Sequence, residues 1–220
     1  MKNRLPLAFL LAALLTPVLS GCFPAIVAGT AAGVISLHDR RSTGTQTDDE
    51  TTEWKAAGRI PKEYKEKSRV SFISYNRRVL ITGEVPSEEA RQSIEQQTRQ
   101  IEGVREVYNE LTIGTPATLS MRSSDTFLES KVKARLVDSR QISAGHIKVV
   151  AERGQVYLMG MVTNLEAKVA ITVARTTAGV VKVINIMEIL SDEEINRLNE
   201  QALLASKKSA APPAAPTENR

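Results

Sequence analysis

The chain repeats itself, and this repeat limits the folds that it can adopt. Residues 79–85 (VLITGEV) recur at 156–162 (VYLMGMV), 77 positions later. A second pair of matches, Gly103 and Gly179, keeps the same order at an offset of 76, which one deleted residue explains. Because solenoid repeats usually need three or more copies to bury a core, two copies of this size predict tandem small domains that each have their own core.

The residue pattern of the second copy predicts its elements in order. Apolar residues alternate on both sides of 152–155, where Gly154 permits a tight turn, so this segment predicts a β-hairpin. Residues 163–166 (TNLE) form a capping box that begins a helix, and Gly179 ends that helix. Residues 181–190 are rich in β-branched side chains, which favours a last strand. The first copy has the same order, with a turn at 76–78, a helix between Pro86 and Gly103, and a last strand at 104–113.

A helix ahead of each hairpin completes the repeated unit. In the second copy, residues 126–129 (TFLE) form a capping box, and an apolar stripe with i, i+4, i+8 spacing follows at Leu128, Val132 and Leu136. In the first copy only residues 53–57 favour a helix, and helical spacing places Trp54 towards the core. The sequence therefore predicts an α+β fold of two tandem αββαβ domains, each a three-stranded mixed sheet packed on two helices.

One glycine lies inside a predicted strand of each copy, Gly83 in the first and Gly160 in the second. Glycine within a strand marks a bulge or a place where another part of the backbone comes close. Packing of the neighbouring helix against the sheet is the favoured explanation, and neither position is assigned any chemistry.

The segments outside the repeat differ from it in composition. Residues 39–50 are polar and are interpreted as a linker that includes the charge run Asp48-Asp49-Glu50. After the second domain, Ser191 begins a capping box ahead of an apolar helical face, and the Ala- and Pro-rich end of the chain favours disorder. We therefore expect a signal peptide at 1–21, a tether and linker at 22–47, domains at 48–115 and 121–190, a C-terminal helix at 191–205 and a disordered tail at 206–220.

The only cysteine, Cys22, follows a short apolar N-terminal segment. Positive charges precede an apolar run at residues 5–18, and the small residues Ser20 and Gly21 stand directly before the cysteine. This pattern predicts a lipoprotein signal peptide that is removed, leaving Cys22 with a covalent diacylglycerol and an N-acyl chain. The alternative is a transmembrane helix, but a bilayer requires about 20 apolar residues and this run is shorter. No other cofactor is expected.

The mature chain shows no sequence motif for catalysis or for nucleic-acid binding. Loss of Lys2 and Arg4 lowers the formal net charge from +4 to +2, whereas nucleic-acid binders usually carry clearly basic clusters. His38 and His146 stand on separate segments without partners at zinc-ligand spacing. Phosphate-binding glycine loops and nucleophile elbows are also absent from the sequence. We therefore expect neither an enzyme nor a metal site.

These motifs together resemble the dual BON-domain outer-membrane lipoproteins. The resemblance rests on the αββαβ unit with its mid-strand glycine, the Gly-Val after the helix, and two copies behind an acylated cysteine. Its most specific segments are 39–49, 106–110, 125–127 and 156–160. It implies a lipoprotein at the periplasmic face of the outer membrane that supports envelope integrity and binds anionic phospholipid through the first helix of the second domain. The family commonly has Trp at the start of that helix, where this chain has Phe127.

The residues of that helix partly agree with this implication. If the apolar stripe is buried, Phe127, Lys131 and Arg135 form a second stripe about 100° away, with Lys133 at its side. An aromatic ring among cations suits a headgroup layer, where each Lys or Arg contributes about 1 kcal/mol. The alternative is that Phe127 lies at the edge of the core and the cations form an ordinary solvated face. The resemblance favours phospholipid binding.

Three functions stay open at this point. The first is a lipid-binding lipoprotein of envelope integrity, concentrated where anionic phospholipid is enriched, including division sites. The second is an interaction module that docks on β-barrel assembly, cell-wall remodelling or division proteins, with lipid binding incidental. The third, a glycan binder, ranks last because only 4% of the residues are aromatic.

Overall fold

The computed structural model describes residues 39–210, and for residues 205–210 it describes the backbone alone. The expected signal peptide, Cys22, most of the tether, and residues 211–220 of the expected tail lie outside the described residues. Both domains predicted by the repeat lie within the described part of the chain.

Local capping interactions define the helices of the first domain. Helix α1 begins after Ser42, whose side chain accepts a hydrogen bond from the Thr45 N–H, and helix α3 begins after Ser87, which accepts from the Ala90 N–H. Between the strands β1 and β2, Asn76 and Arg77 both have positive φ, as a two-residue hairpin turn requires. The elements are α1 Thr43–Gly58, α2 Lys62–Lys65, β1 Arg69–Tyr75, β2 Arg78–Val85, α3 Glu88–Arg99 and β3 Glu106–Ile113.

The second domain repeats this order with a longer leading helix. Thr118 caps helix α4, and Thr163 and Glu166 form both hydrogen bonds of the predicted capping box at the start of α5. The hairpin turn is Arg153-Gly154, again with positive φ at both residues. The elements are α4 Leu119–Ser139, a 3-10 turn Ala144–His146, β4 Ile147–Glu152, β5 Gln155–Val162, α5 Asn164–Arg175, β6 Lys182–Asn185, β7 Glu188–Ile189 and α6 Asp192–Ala210.

Each domain contains the mixed sheet that the sequence predicts. In the first, the central strand β2 pairs antiparallel with β1 and parallel with β3. In the second, β5 pairs antiparallel with β4 and parallel with both β6 and β7, so its third strand consists of two short pieces. The α+β fold of two tandem αββαβ domains is confirmed.

The two sheets pack face to face. Residues of β2 alternate between two cores: Val79 and Ile81 contact the helices of the first domain, whereas Leu80 contacts the second sheet. In the second sheet, Tyr157 and Met159 on β5 point towards the first domain and are 1% exposed each. Sandwiched sheets of this kind leave both faces of each central strand buried.

Ion pairs cross the interface beside this shared apolar core. Glu84, which is fully buried, accepts hydrogen bonds from Arg69 of its own domain and from Arg153 of the second domain, both at 2.9 Å. Arg69 also pairs with Glu152. Burial acts to raise the pKa of Glu84, but the hydrogen bonds from Arg69, the Ala117 N–H and Arg153 outweigh it and lower this pKa. The carboxylate therefore stays charged within the interface.

Several predicted boundaries are wrong. Residues 43–50, assigned to the linker, form the start of α1. Helix α4 begins at Leu119, and Thr126, interpreted as a cap, lies within it and donates to the Arg122 carbonyl. The last strand of the second domain is interrupted between Asn185 and Glu188, and α6 continues to Ala210 instead of ending at residue 205.

Two further interpretations are corrected. Trp54, expected in the core, is 82% exposed, because Ala56 rather than Ala57 points inward from α1. The mid-strand glycines lie against a neighbouring strand end and not against a helix. A Cβ on Gly83 would lie 1.9 Å from the Arg69 carbonyl oxygen, and one on Gly160 would lie 2.4 Å from the His146 carbonyl oxygen.

Candidate membrane-contacting site

Helix α4 carries the site that the sequence predicts. Its stripe of Leu128, Val132 and Leu136 is buried in the core of the second domain, with exposed fractions of 5% or less. Phe127, one residue before this stripe, is 66% exposed. Burial of the stripe therefore directs the aromatic ring outward, as the helical spacing predicts.

Lys131 lies one helical turn after Phe127 and contacts it. The Lys131 Nζ is 5.0 Å from the centroid of the Phe127 ring, within the range of a cation–π contact. The same Nζ donates a 2.8 Å hydrogen bond to the Ala178 carbonyl, in the loop that follows α5. This cation is thus held beside the exposed ring and at the end of the neighbouring helix.

The other two predicted cations interact mainly with the protein itself. Arg135 is half-buried and donates to the Val173 carbonyl at 3.1 Å and to the Thr177 Oγ1 at 2.8 Å, which satisfies groups near the C-terminus of α5. Lys133 is exposed and forms a 2.6 Å ion pair with Glu129, one turn earlier. The geometry therefore groups Phe127 with Lys131 more closely than with Arg135 or Lys133.

Asp125 positions the start of the exposed stripe, a role that the sequence reasoning missed. Its carboxylate accepts from the backbone N–H groups of Arg153 and Gly154, both at 2.9 Å, so it ties α4 to the hairpin turn. Asp49 on α1 does the same for the turn at Asn76-Arg77. The signal was available in the repeat, because the two aspartates stand 76 residues apart, like the glycines that end the other helices.

A separate groove of about 890 Å³ lies between the start of α1 and helix α6. Arg40 at its edge is 5% exposed and binds Glu166 through two hydrogen bonds, at 2.8 and 2.9 Å. Arg40 also donates to the Met161 carbonyl and to the Asn199 Oδ1. Arg40 therefore has a structural role, because its hydrogen bonds hold the residues before α1 against the second domain and leave it unavailable for a ligand.

Between residues 39 and 210, no helix combines the length and the apolar composition that crossing a membrane requires. Within that same range, histidine and acidic side chains nowhere form a group of three that could hold a metal ion.

Comparison with known proteins places the chain in a family. The sequence profile of the BON domain matches residues 48–115 and 124–191. The outer membrane lipoprotein DolP of Haemophilus influenzae is 38% identical over 186 residues, which are 84% of this chain and 95% of that protein. A 21 kDa hemolysin of Actinobacillus pleuropneumoniae is 35% identical over 151 residues, 68% of this chain and 78% of its own length. Neither name describes an enzyme.

Similarity to solved structures is weaker. Two structures of CdsD, a structural protein of the type III secretion system of Chlamydia trachomatis, are 13% and 12% identical, with TM-scores of 0.29 and 0.27. They cover 70% and 63% of this chain, and 97% and 96% of their own chains. The two BON matches and the extent of the identity to DolP show that the chain belongs to the BON-domain family, among the outer-membrane lipoproteins of the DolP type.

Proposed function

We propose that this protein is a non-catalytic lipoprotein, anchored by acyl chains on Cys22 at the periplasmic face of the outer membrane. It supports envelope integrity by binding anionic phospholipid through helix α4. The observation that carries the proposal is the exposed Phe127 ring with the Lys131 ammonium 5.0 Å from it. An aromatic ring beside a cation matches the boundary between acyl chains and charged headgroups.

Weak binding by this surface is sufficient for the proposed role. One aromatic side chain and one or two cations contribute only a few kcal/mol at an anionic surface. The acyl chains keep the domain at a high effective concentration beside the bilayer, so even a low intrinsic affinity is effective. Arg135 and Lys133 add to the positive potential of α4, although their direct contacts are within the protein.

Vesicle co-sedimentation tests the proposal. The chain from residue 22 with Cys22→Ser lacks the acyl anchor, so any binding must come from the folded domains. We expect it to bind vesicles that contain phosphatidylglycerol, to bind less at higher salt, and to leave pure phosphatidylcholine vesicles unbound. Phe127→Ala should lower this binding by about tenfold, because the apolar area that the ring buries in the bilayer is lost.

The matched control removes exposed apolar area from the far end of the same helix. Val137 is 42% exposed and lies ten residues, about 15 Å along the helix axis, after Phe127, so Val137→Ala should bind as the parent chain does. Equal binding to both vesicle types, or no binding to either, would contradict phospholipid recognition and leave Cys22 as the only membrane attachment.

Exposed Trp54 favours docking on an envelope protein as the second candidate function. This side chain is 82% exposed on α1 of the first domain, and exposed tryptophans are enriched at protein–protein interfaces. Partners of this kind would be β-barrel assembly, cell-wall remodelling or division proteins. Trp54→Ala in the acylated protein should then reduce resistance of the cells to detergents while vesicle binding in vitro stays unchanged. Unchanged detergent resistance would count against this second function.

A further inference from the structure

The loop after α5 lies directly beside the Phe127 ring. The Lys131 Nζ joins the two, since it contacts the ring on one side and the Ala178 carbonyl on the other. It would also lie 3.9 Å from a Cβ placed on Gly179. Helix α4 and residues 178–181 therefore form one continuous surface.

Val181 is the most exposed apolar side chain of this surface. It is 82% exposed, although its backbone N–H is fixed by a 2.9 Å hydrogen bond to the Gly154 carbonyl of the hairpin turn. Its side chain lies against that turn, where a Cβ on Gly154 would be 3.1 Å from its Cγ2. The same turn is tied to α4 by Asp125, two residues before Phe127, so Val181 and Phe127 are held at the same end of the domain.

The first domain shows what this surface looks like without apolar side chains. Because Asp49 and Asp125 make the same contacts, α1 and α4 can be superposed residue by residue, so Thr51 corresponds to Phe127 and Lys55 to Lys131. In the loops, Arg105 donates its N–H to the Arg77 carbonyl just as Val181 does to Gly154. The corresponding pairs are Thr51 and Phe127, Lys55 and Lys131, Glu102 and Ala178, Arg105 and Val181, and Glu106 and Lys182.

The differences between the two domains together favour an anionic membrane as the occupant of the second, because the net charge of the five corresponding side chains rises from 0 in the first domain to +2 in the second. Two carboxylates of the first domain, Glu102 and Glu106, are replaced by Ala178 and the exposed Lys182. Exposed apolar side chains, Phe127 and Val181, replace a threonine and an arginine. Removing negative charge and adding apolar area at the same points complements headgroups and acyl chains together.

We propose that the loop 178–181 is the second half of the membrane-contacting surface, with Val181 inserting beside Phe127 and Lys182 facing the anionic headgroups. This inference rests on the proposed function of α4 and names residues outside that helix. Only the second domain should then bind lipid, because the first keeps the carboxylates of Glu102 and Glu106 and has Thr51 in place of the aromatic ring.

Substitutions in the loop test the inference in the chain from residue 22 with Cys22→Ser. Val181→Ser removes apolar area without changing charge and should weaken binding to phosphatidylglycerol vesicles by about fivefold to tenfold. Ala178→Glu restores the carboxylate of the first domain. It should also weaken binding to these vesicles, and the loss should be larger at low salt than at high salt. Because Val181 is exposed, the serine variant should unfold at the same temperature as the parent chain.

Leu165→Ser is the matched control. Leu165 is 71% exposed on the same domain, but it lies at the start of α5, about 20 Å of helix and loop away from Ala178. Its substitution should leave vesicle binding unchanged. An equal loss for Leu165→Ser and Val181→Ser would overturn the inference, because the effect would not be specific to the loop.

A spectroscopic measurement gives an independent readout. With Trp54→Phe as background, Val181→Trp introduces a single fluorophore at the loop. Brominated acyl chains in phosphatidylglycerol-containing vesicles should quench it if the side chain inserts. Suppose that the parent chain binds vesicles and Phe127→Ala loses that binding, while Val181→Ser binds normally and Val181→Trp is not quenched. That result would show that the loop is not a membrane contact, and the proposed function of α4 would stand. If the parent chain itself does not bind, the proposed function fails as well.

Discussion

Single aspartates on the leading helices determine how each helix meets its hairpin. Asp125 is 8% exposed and Asp49 is 2% exposed, and each accepts two backbone N–H groups of a turn whose residues have positive φ. Asp49 also accepts from the Ser74 hydroxyl at 2.7 Å. Hydrogen bonds to a charged acceptor are about twice as strong as neutral ones, so these carboxylates hold the turns in place.

Asp125→Ala should therefore destabilise the protein although it removes no apolar contact. Two backbone N–H groups lose a charged partner, so we expect the free energy of unfolding to fall by about 2–3 kcal/mol in urea denaturation. Asp138→Ala on the same helix is the control, since Asp138 is exposed, and it should change stability by less than about 0.5 kcal/mol. Equal effects of the two substitutions would contradict the role assigned to Asp125.

At the scale of the elements, the central strands depend on a glycine where the hairpin partner comes close. Gly83 has φ +117° and lies against the carbonyl of Arg69, at the start of β1. Gly160 meets the carbonyl of His146 in the same way, just before β4. The contacting atoms belong to backbone and cannot move aside, so only glycine fits at these points of the sheet.

Gly83→Ala should disrupt the first sheet. Its Cβ would lie 1.9 Å from a backbone oxygen and its φ would be strained, so we expect a loss of more than about 3 kcal/mol, or failure to fold. Gly58→Ala is the matched substitution, because a Cβ there meets nothing within 4 Å and α1 gains a better helix former. Urea denaturation should show Gly58→Ala to be at least as stable as the parent chain, and a similarly stable Gly83→Ala would refute the argument.

At the scale of the whole molecule, the two domains share an apolar core and are not independent folding units. Tyr75 and Leu80 of the first sheet pack with Tyr157, Met159 and Met161 of the second. Removing either sheet would expose these side chains to water, which costs about 25 cal/mol for each Å² of apolar area. The two repeats therefore stabilise each other.

We expect the two domains to unfold in a single transition. Trp54 is exposed and makes a poor probe, so Phe72→Trp with Trp54→Phe places one tryptophan in the core of the first domain. Its fluorescence reports the first domain and far-UV circular dichroism reports both, so the two probes should give the same midpoint in urea. Leu80→Ala should lower the free energy of unfolding by roughly 2–4 kcal/mol and leave the probes coincident, whereas the exposed Leu119→Ala should have little effect. Separate midpoints in the parent chain would show that the shared core does not couple the domains.

The residues before α1 also belong to the fold. Arg40 joins Glu166 on α5 to Asn199 on α6, and so connects both ends of the described chain to the second domain. Burial acts to raise the pKa of Glu166, but the His146 ring, whose Nδ1 lies 3.7 Å from the carboxylate, and hydrogen bonds from Arg40 and the Thr163 N–H outweigh it and lower this pKa well below its usual range.

This shift makes the ion pair between Arg40 and Glu166 sensitive to acid. Since the pKa of Glu166 is lower in the folded state, the unfolded state binds more protons below about pH 4.5, and stability is lost as the pH falls. Glu166→Gln should cost roughly 1–3 kcal/mol at pH 7, and less as the pH drops from 5 to 3. Urea denaturation of both proteins across this range measures the difference, and a difference independent of pH would contradict the assignment.

The sequence predicted the elements that depend on local pattern. The hairpins, the capping box at Thr163, and the buried stripe of Leu128, Val132 and Leu136 follow from period and turn chemistry, and the structure has them. Helical spacing also separates Phe127 from that stripe by about 100°, but only the family resemblance favoured a membrane contact over a position at the edge of the core. Local pattern failed where a tertiary contact decides: Asp49 looked like a solvated charge, and Trp54 looked like a core residue, because only the position of the hairpin determines which face of α1 is buried.

The sequence by itself determined that the chain forms two copies of one αββαβ unit, since each copy encodes its own turns, caps and apolar faces. Only the tertiary structure decided that the two sheets face each other, that Arg40 closes onto α5 and α6, and that Lys131 joins Phe127 to the loop after α5. These contacts link residues that are distant in the chain. Their energy depends on which surfaces pack against each other, and the local periodicity of the sequence does not specify which distant surfaces do so.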